Sequence, residues 1–133
     1  HGMAHTIGAR YHISHGRSNA IILSHVIEYN ADIMGFNSSQ YTKTAQRYAY
    51  LADIIGMPST SIRQAVRNLM DAVKDLLKNM NIPDSLREFG VPKEEFYNSL
   101  EEMAQIAIED RSTSTNPKKP KIEDVKKLFE DIY

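Results

Sequence analysis

The sequence predicts an all-α fold, an irregular bundle of about five or six helices. Apolar residues recur at helical spacings of three, four and seven along most of the chain. No segment sustains the apolar–polar alternation of a half-buried strand, and the hairpin signals Asn-Gly and Asp-Gly do not occur. A chain of 133 residues is long enough for one domain with a modest core. We therefore expect residues 1–133 to form one helical domain.

Three helices are predicted in the first part of the chain. Residues 17–29 are largely apolar and should form a buried helix, and residues 45–55 carry a shorter apolar stripe that Gly56 ends. The longest stripe covers residues 62–80, and Asn81 and Pro83 are expected to stop the helix. The candidate N-caps of this helix are Ser59, Thr60 and Ser61.

Two further helices are predicted in the second part. Residues 96–107 carry a stripe that Pro92 begins at a first-turn position, and residues 122–132 carry the last stripe. Ser85–Glu88 has the spacing of a capping box, which predicts one short turn. Two stretches rich in Ser, Thr, Asn and Pro are predicted to be loops, residues 35–44 and residues 111–121.

The composition excludes several classes of protein. With 25% charged residues and a net charge of -1, the chain shows no sign of binding nucleic acid or an anionic membrane surface. No apolar run approaches the length of a transmembrane helix or a signal-peptide core. The absence of cysteine fits a reducing compartment, so the expected location is cytoplasmic. Because the chain opens with His1 rather than Met, we expect it to be cut from a longer parent.

Four of the five histidines lie in the first fifteen residues, at positions 1, 5, 12 and 15. His1 and His5 are four apart and would share one face of a helix, and Gly8 is expected to break that helix before His12. Neutral imidazole is the commonest metal ligand, so the cluster makes a metal site one candidate. Spacing alone leaves two alternatives open, namely capping or core histidines and, for His1, a purification remnant.

The same segment carries a resemblance to a known family. HGMAHTIGARYHISHGRSNAIILSHVIEYN, at residues 1–30, resembles the signature of the iron-containing alcohol dehydrogenases: a His, three residues, a second His, and a loop ending in Pro-His-Gly before an apolar helix. The resemblance continues through RYAYLADIIG and IPDSLREFGV to the Asn116-Pro117 loop. The last two motifs look most like the alcohol dehydrogenase module of bifunctional aldehyde–alcohol dehydrogenases, with a free-standing dehydrogenase as the close competitor.

The resemblance implies a role for individual histidines. The family holds one divalent ion, Fe(II) or Zn, with an Asp and three His; His1 and His15 match the last two of these His, and the other two ligands belong to upstream sequence. His5 matches a family histidine beside the metal that faces nicotinamide and substrate, which implies a catalytic, proton-relay role. His12 matches no ligand and is expected to be a structural or surface residue, and His25 is expected to be a satisfied core residue and not a ligand.

The resemblance also implies a function. The intact parent would interconvert a small alcohol with its aldehyde or ketone by hydride transfer with NAD(P), as a homo-oligomer, while this chain alone would be inactive without the upstream nucleotide-binding domain. The six glycines are too scattered for a dinucleotide-binding loop. A free-standing helical binding or assembly module without catalysis is the alternative. An upstream half with a phosphate-binding loop would decide for the enzyme.

The chain departs from the family pattern at three positions. Ser14 replaces the usual Pro before the His-Gly pair, and Ser24 stands where Pro is common. Ser112 occupies a position that is often Cys beside the substrate pocket, which puts substrate size and polarity in doubt. Because two of four ligands are upstream, we expect weak metal binding by this chain, with residues 1–15 mobile or repacked.

Overall fold

A computed structural model describes residues 1–33 and 41–133, and within these ranges it is helical without any strand. The all-α prediction is therefore confirmed for this part of the chain. Six α-helices and one short 3-10 helix follow one another in the order α1 (Gly2–Tyr11), α2 (His15–Ala31), α3 (Lys43–Ile54), α4 (Ile62–Asn79), α5 (Lys93–Glu109), the 3-10 helix (Arg111–Thr115) and α6 (Ile122–Asp131).

Helix α2 connects two clusters of buried apolar side chains. Ile21 and Ile22, in its first half, belong to a cluster shared with α1, α5 and α6, in which Phe96 and Phe129 are fully buried. Its second half contributes Ile27 and other residues to a cluster shared with α3 and α4. Burial of these apolar surfaces, at about 25 cal/mol per Å², is what holds the amphipathic helices together.

The limits of α3 and α4 follow from local sequence signals. Helix α3 is capped by the Thr42 hydroxyl, which accepts a hydrogen bond from a backbone N–H of the first turn, and Ser61 caps α4 in the same way. After these helices the chain enters the left-handed region at Gly56 (φ 78°) and Asn81 (φ 53°), as the predicted stops require. The predicted loop 35–44 ends two residues earlier than expected, because α3 begins at Lys43. Residues 34–40 lie outside the described part of the chain.

Two predictions about the second half of the chain need comment. The turn at Ser85–Glu88 is confirmed, because the Glu88 N–H donates to Ser85 Oγ at 3.2 Å. Pro92 is the N-cap of α5 and not its first helical residue. The prediction of a loop over residues 111–121 is wrong for its first five residues, which form the 3-10 helix Arg111–Thr115. This helix follows α5 almost directly, and the Asp110 carboxylate caps it.

The start of the chain is more regular than predicted. Helix α1 runs through Gly8 without a break and buries Met3 and Ile7, so the break expected at Gly8 does not occur and α1 packs on the core. A glycine inside a helix costs only about 1 kcal/mol relative to alanine, which tertiary contacts offset here. A Cβ at Gly8 would lie 3.1 Å from the Ile13 carbonyl oxygen, so the glycine lets the chain after α1 pass close to the helix.

The first turn of α1 packs directly on the end of α5 and on the 3-10 helix. A Cβ at Gly2 would lie 2.7 Å from the Ala107 carbonyl oxygen, and still closer to the Thr113 hydroxyl oxygen. That hydroxyl is held in place because it donates to the Ala107 carbonyl at 2.6 Å. Only glycine fits between these backbones, and the contact sets the position of α1 relative to α5.

Gly2→Ala is therefore expected to lower the free energy of unfolding by about 1–3 kcal/mol, the usual cost of overpacking. Gly16→Ala is the matched control, because Gly16 also lies in the first turn of a helix but has nothing within 4 Å of its Cβ position. This control should be neutral or slightly stabilising. Urea unfolding of both variants, followed by circular dichroism, measures the difference; equal stability of the two would contradict the tight contact.

A second prediction concerns pH. The Lys121 N–H and the Tyr29 hydroxyl both donate to Asp124 Oδ2 at 2.9 Å, and these bonds lower the pKa of Asp124. A carboxyl group with a lowered pKa stabilises the fold above its unfolded-state pKa and loses that contribution as the pH falls through its folded-state pKa. Asp124→Asn keeps an acceptor oxygen but not the charge, and should cost about 1 kcal/mol at neutral pH and progressively less in acid.

Urea unfolding of the wild type and of Asp124→Asn at a series of pH values tests this expectation. Asp71→Asn removes the same charge from an exposed position on α4 and controls for the change in net charge. A stability difference between wild type and Asp124→Asn that stays constant down to strongly acidic pH would contradict the assignment.

Candidate metal centre

Three histidines from the first turns of α1 and α2 meet at one place on the surface. His1 is the N-cap of α1, His5 lies one turn further along α1, and His15 is the first residue of α2. The chain turns at His12, in a left-handed conformation (φ 55°), and Ile13 then passes beside Gly8. Because the chain runs back along α1, His15 comes to lie next to histidines ten or more residues before it.

The imidazole rings are close enough to share one ion. One ring nitrogen from each of His1, His5 and His15 lies within 4.8 Å of the other two, and the three residues are exposed. The ring centroids of His15 lie 5.5 Å from His1 and 5.3 Å from His5, and the rings are nearly parallel. Two nitrogens bound to one zinc ion at about 2.1 Å can be about 4.2 Å apart at most. Small side-chain rotations are therefore sufficient for two of these nitrogens to bind one ion.

The chemistry of these donors fits a divalent ion of borderline softness. Imidazole nitrogen binds Zn and Fe(II) alike, so the donors do not distinguish the two metals. The side-chain amide of Asn19 lies 2.9 Å from His15 Nε2 and 3.1 Å from the His15 carbonyl oxygen, so its bond to Nε2 must be exchanged if that nitrogen binds an ion. This residue holds the His15 ring against the first turn of α2.

His5 has a carboxylate partner on another helix. Its Nδ1 lies 2.8 Å from Oδ2 of Asp110, the residue between α5 and the 3-10 helix, and the Ser112 N–H donates to Asp110 Oδ1 at 2.7 Å. The bond from His5, followed by the bond from Ser112, lowers the pKa of Asp110 to about 2. Asp110 is therefore an ionised acceptor, and Nδ1 of His5 is the donor, which leaves Nε2 with its lone pair free for chemistry.

The sequence did not reveal Asp110 as part of the site. The Asp-x-Ser pattern at its position is a signal for a local turn, in which the side chain accepts a backbone N–H two residues on. Nothing in that pattern indicates that the second carboxylate oxygen faces a histidine 105 residues earlier. Contacts of this range require the tertiary structure.

The two remaining histidines lie outside the cluster. His12 is the C-cap of α1, which agrees with the structural role expected for it. His25, which the sequence suggested to be a core residue and not a ligand, is partly buried in α2, where burial lowers its pKa. Among the described residues, the group of nearby potential metal donors consists of His1, His5 and His15.

A small cavity opens beside His1. It has a volume of about 70 Å³ and lies between α2, α5, the 3-10 helix and α6. Apolar side chains form most of its wall, and Ser112 contributes to it next to the histidine cluster. Lining residues besides His1 and Ser112 are Gly2, Met3, Ile22, Val26, Tyr29, Ala107, Thr113, Asn116, Pro120, Val125 and Leu128.

No helix in the described part of the chain is both long enough and apolar enough to cross a membrane.

Known proteins with similar sequences include alcohol dehydrogenases and a related reductase. The chain is 37% identical to the NADPH-dependent butanol dehydrogenase of Clostridium saccharobutylicum, with all of the chain and 32% of that protein covered. It is 36% identical to lactaldehyde reductase and 32% identical to a bifunctional aldehyde-alcohol dehydrogenase, both of Escherichia coli, covering 32% and 16% of those proteins.

Solved structures show the same fold over the whole chain. A crystal structure of 1,3-propanediol oxidoreductase superposes with a TM-score of 0.83 at 27% identity, and an iron containing alcohol dehydrogenase from Thermococcus thioreducens with a TM-score of 0.81 at 30% identity. The chain covers 32% and 31% of those chains. It thus spans about a third of the length of these relatives, and about a sixth of the bifunctional one.

The match to a family model agrees with the resemblance that the histidine segment carries. The model described as "Fe-containing alcohol dehydrogenase family, C-terminal" matches residues 1–133, which includes all three clustered histidines. Both stand-alone and bifunctional enzymes are among the relatives. The chain belongs to the Fe-containing alcohol dehydrogenase family and corresponds to its C-terminal part.

Proposed function

We propose that residues 1–133 are the helical metal-binding domain of a dehydrogenase that interconverts a small alcohol with its aldehyde or ketone by using NAD(P). The observation that carries this proposal is the cluster of His1, His5 and His15 in a chain of this family. Because the chain spans about a third of its relatives, we propose that an upstream nucleotide-binding domain completes the enzyme. The chain alone is then inactive, and the cysteine-free sequence is compatible with the cytoplasm.

His1 and His15 are the proposed ligands of one divalent ion, Fe(II) or Zn. They lie at the starts of α1 and α2, and the packing of these two helices sets the positions of both residues relative to each other. When bound, such an ion supplies Lewis acidity toward the oxygen of the alcohol or carbonyl substrate. Two imidazoles leave room for ligands from the upstream domain, which is the reason to expect weak binding by this chain alone.

His5 is the proposed proton acceptor for the alcohol. Its Nδ1 donates to Asp110, so Nε2 is the ring nitrogen able to take a proton from a substrate hydroxyl and to return it in the reverse direction. Imidazole suits this role because it titrates near neutral pH. The nicotinamide supplies or accepts the hydride and is expected to be bound by the upstream domain.

The cavity beside His1 supports a small substrate. Its volume of about 70 Å³ is about half that of the 150 Å³ cavity that holds benzene in an engineered protein. Its walls include the apolar side chains of Met3, Ile22 and Val26. We propose that the cavity accepts the short alkyl part of an alcohol or aldehyde whose oxygen lies at the histidine cluster.

A second candidate function is a helical binding or assembly module. It is favoured by large apolar side chains exposed at the end of α3, where Tyr50 is 65% and Ile54 61% exposed. In the enzyme, the same side chains are available for contact with the upstream domain or with another subunit of a homo-oligomer. Activity of the parent separates the two candidates, because an assembly module does not depend on His1 and His15.

In the intact parent, His1→Ala or His15→Ala should remove most of the bound metal and the activity together, since each variant deletes a ligand. His12→Asn is the control: His12 lies on the same hairpin but outside the cluster, and Asn tolerates its left-handed conformation. Metal content is measured by elemental analysis after desalting, and activity by alcohol-dependent reduction of NAD(P). Full metal content with full activity in both alanine variants would rule out these residues as ligands.

His5→Ala is expected to behave differently. Removal of a proton acceptor should lower kcat by about 10²–10⁴-fold and change the pH dependence of the rate, while the metal remains bound. The same two measurements, on the same parent, test this. A metal site as empty in His5→Ala as in His15→Ala would show that His5 is a ligand and not a proton relay.

A further inference from the structure

We propose that Asp110 is a positioning residue, which fixes His5 in the tautomer that carries its hydrogen on Nδ1 and keeps Nε2 available to the substrate. The role in catalysis rests on the function proposed above. The tautomer itself does not, because it follows from the contacts within this chain.

The two oxygens of the Asp110 carboxylate have different partners. Oδ1 accepts the Ser112 N–H at 2.7 Å, and Oδ2 lies 2.8 Å from Nδ1 of His5. An ionised carboxylate can only accept hydrogen bonds, so the hydrogen between Asp110 and His5 must belong to Nδ1. A neutral imidazole has one N–H, which leaves Nε2 as an acceptor.

The backbone around Asp110 holds this carboxylate in a fixed direction. The Asp110 N–H donates to the Ile106 carbonyl at 3.0 Å, and the Asp110 carbonyl accepts the Thr113 N–H at 2.9 Å. The residue therefore ends α5 and begins the 3-10 helix at the same time. Its side chain is 21% exposed, so protein covers most of it. These backbone bonds and this burial restrain the Asp110 side chain more than the side chains of an exposed ion pair are restrained.

The contact with α1 directs the His5 ring as well. The packing of Gly2 against the Ala107 carbonyl sets α1 beside the end of α5, which brings His5 to the carboxylate. The other side of the ring lies against His15, with ring centroids 5.3 Å apart and an angle of 22° between the rings. A ring bonded at Nδ1 and stacked against His15 presents Nε2 in a preferred direction.

Asparagine at position 110 separates this role from a simple ion pair. The amide is nearly isosteric with the carboxylate, and its oxygen must stay on the Ser112 N–H, because an NH₂ group cannot accept that bond. The amide nitrogen then faces His5 and can only donate. Nδ1 of His5 must accept, and the ring hydrogen moves to Nε2. A structural ion pair predicts a loss of stability without any such inversion.

The test is ¹⁵N NMR of the histidine side chains in the metal-free 133-residue chain, at about pH 8.5, above the usual titration range of imidazole. The expected result is a hydrogen on Nδ1 of His5 in the wild type and on Nε2 in Asp110→Asn. Asp110→Ala, which removes both acceptor oxygens, should give a mixture of tautomers. Asp124→Asn is the control, since it makes the same change at a carboxylate bonded to Tyr29, and should leave the His5 signals unchanged.

A wild-type His5 with its hydrogen on Nε2, or an Asp110→Asn variant with the wild-type tautomer, overturns the proposal. In the intact parent, Asp110→Asn should lower kcat by at least about 10²-fold with KM and metal content nearly unchanged. An active wild type with an equally active variant also overturns the positioning role. An inactive wild-type parent instead contradicts the proposed function, and the NMR result then still decides the tautomer.

Discussion

The close contact between the first turn of α1 and the end of α5 is the constraint on which the candidate site depends. Gly2 removes the side chain that would otherwise separate the two backbones. His1 and His5 are on the helix that this contact positions, and Asp110 is on the segment against which it packs. A small change in this separation would move His1 and His5 relative to Asp110. It would thereby weaken the bond between His5 and Asp110, because hydrogen bonds weaken steeply with distance and angle.

The site combines neutral imidazoles with one partly covered negative charge. An imidazole binds a cation only while it is neutral, and the ionised carboxylate next to His5 partly offsets the charge of a divalent ion. The low pKa of Asp110, about 2, means that this carboxylate remains charged throughout the range in which imidazoles titrate. Its charge therefore does not vary with the protonation of the neighbouring rings.

The apolar stripes and their caps were sufficient to predict most helices, since those signals are local. Helix α4 is capped by Ser61 and is followed by a left-handed Asn81, as its sequence indicates. The predicted helix break at Gly8 was wrong. In the sequence, a glycine that ends a helix cannot be distinguished from a helical glycine that lets another backbone segment pass close by. The meeting of His1 with His15 was implied by the family resemblance and not by their spacing. Asp110 could not be found at all, because its partner is remote in sequence.

The core consists of two clusters, and the helices α3 and α4 pack mainly in the cluster that does not contain the site. The histidines and Asp110 belong to elements of the first cluster, whereas α3 and α4 pack mainly on the second half of α2. Of the buried residues in this pair of helices, Leu77 alone reaches the first cluster within the described part. Local opening of α3 and α4 is therefore possible with the histidine cluster still assembled. Evolution can accordingly remodel that hairpin, and the exposed apolar surface on it, at little cost to the chemistry.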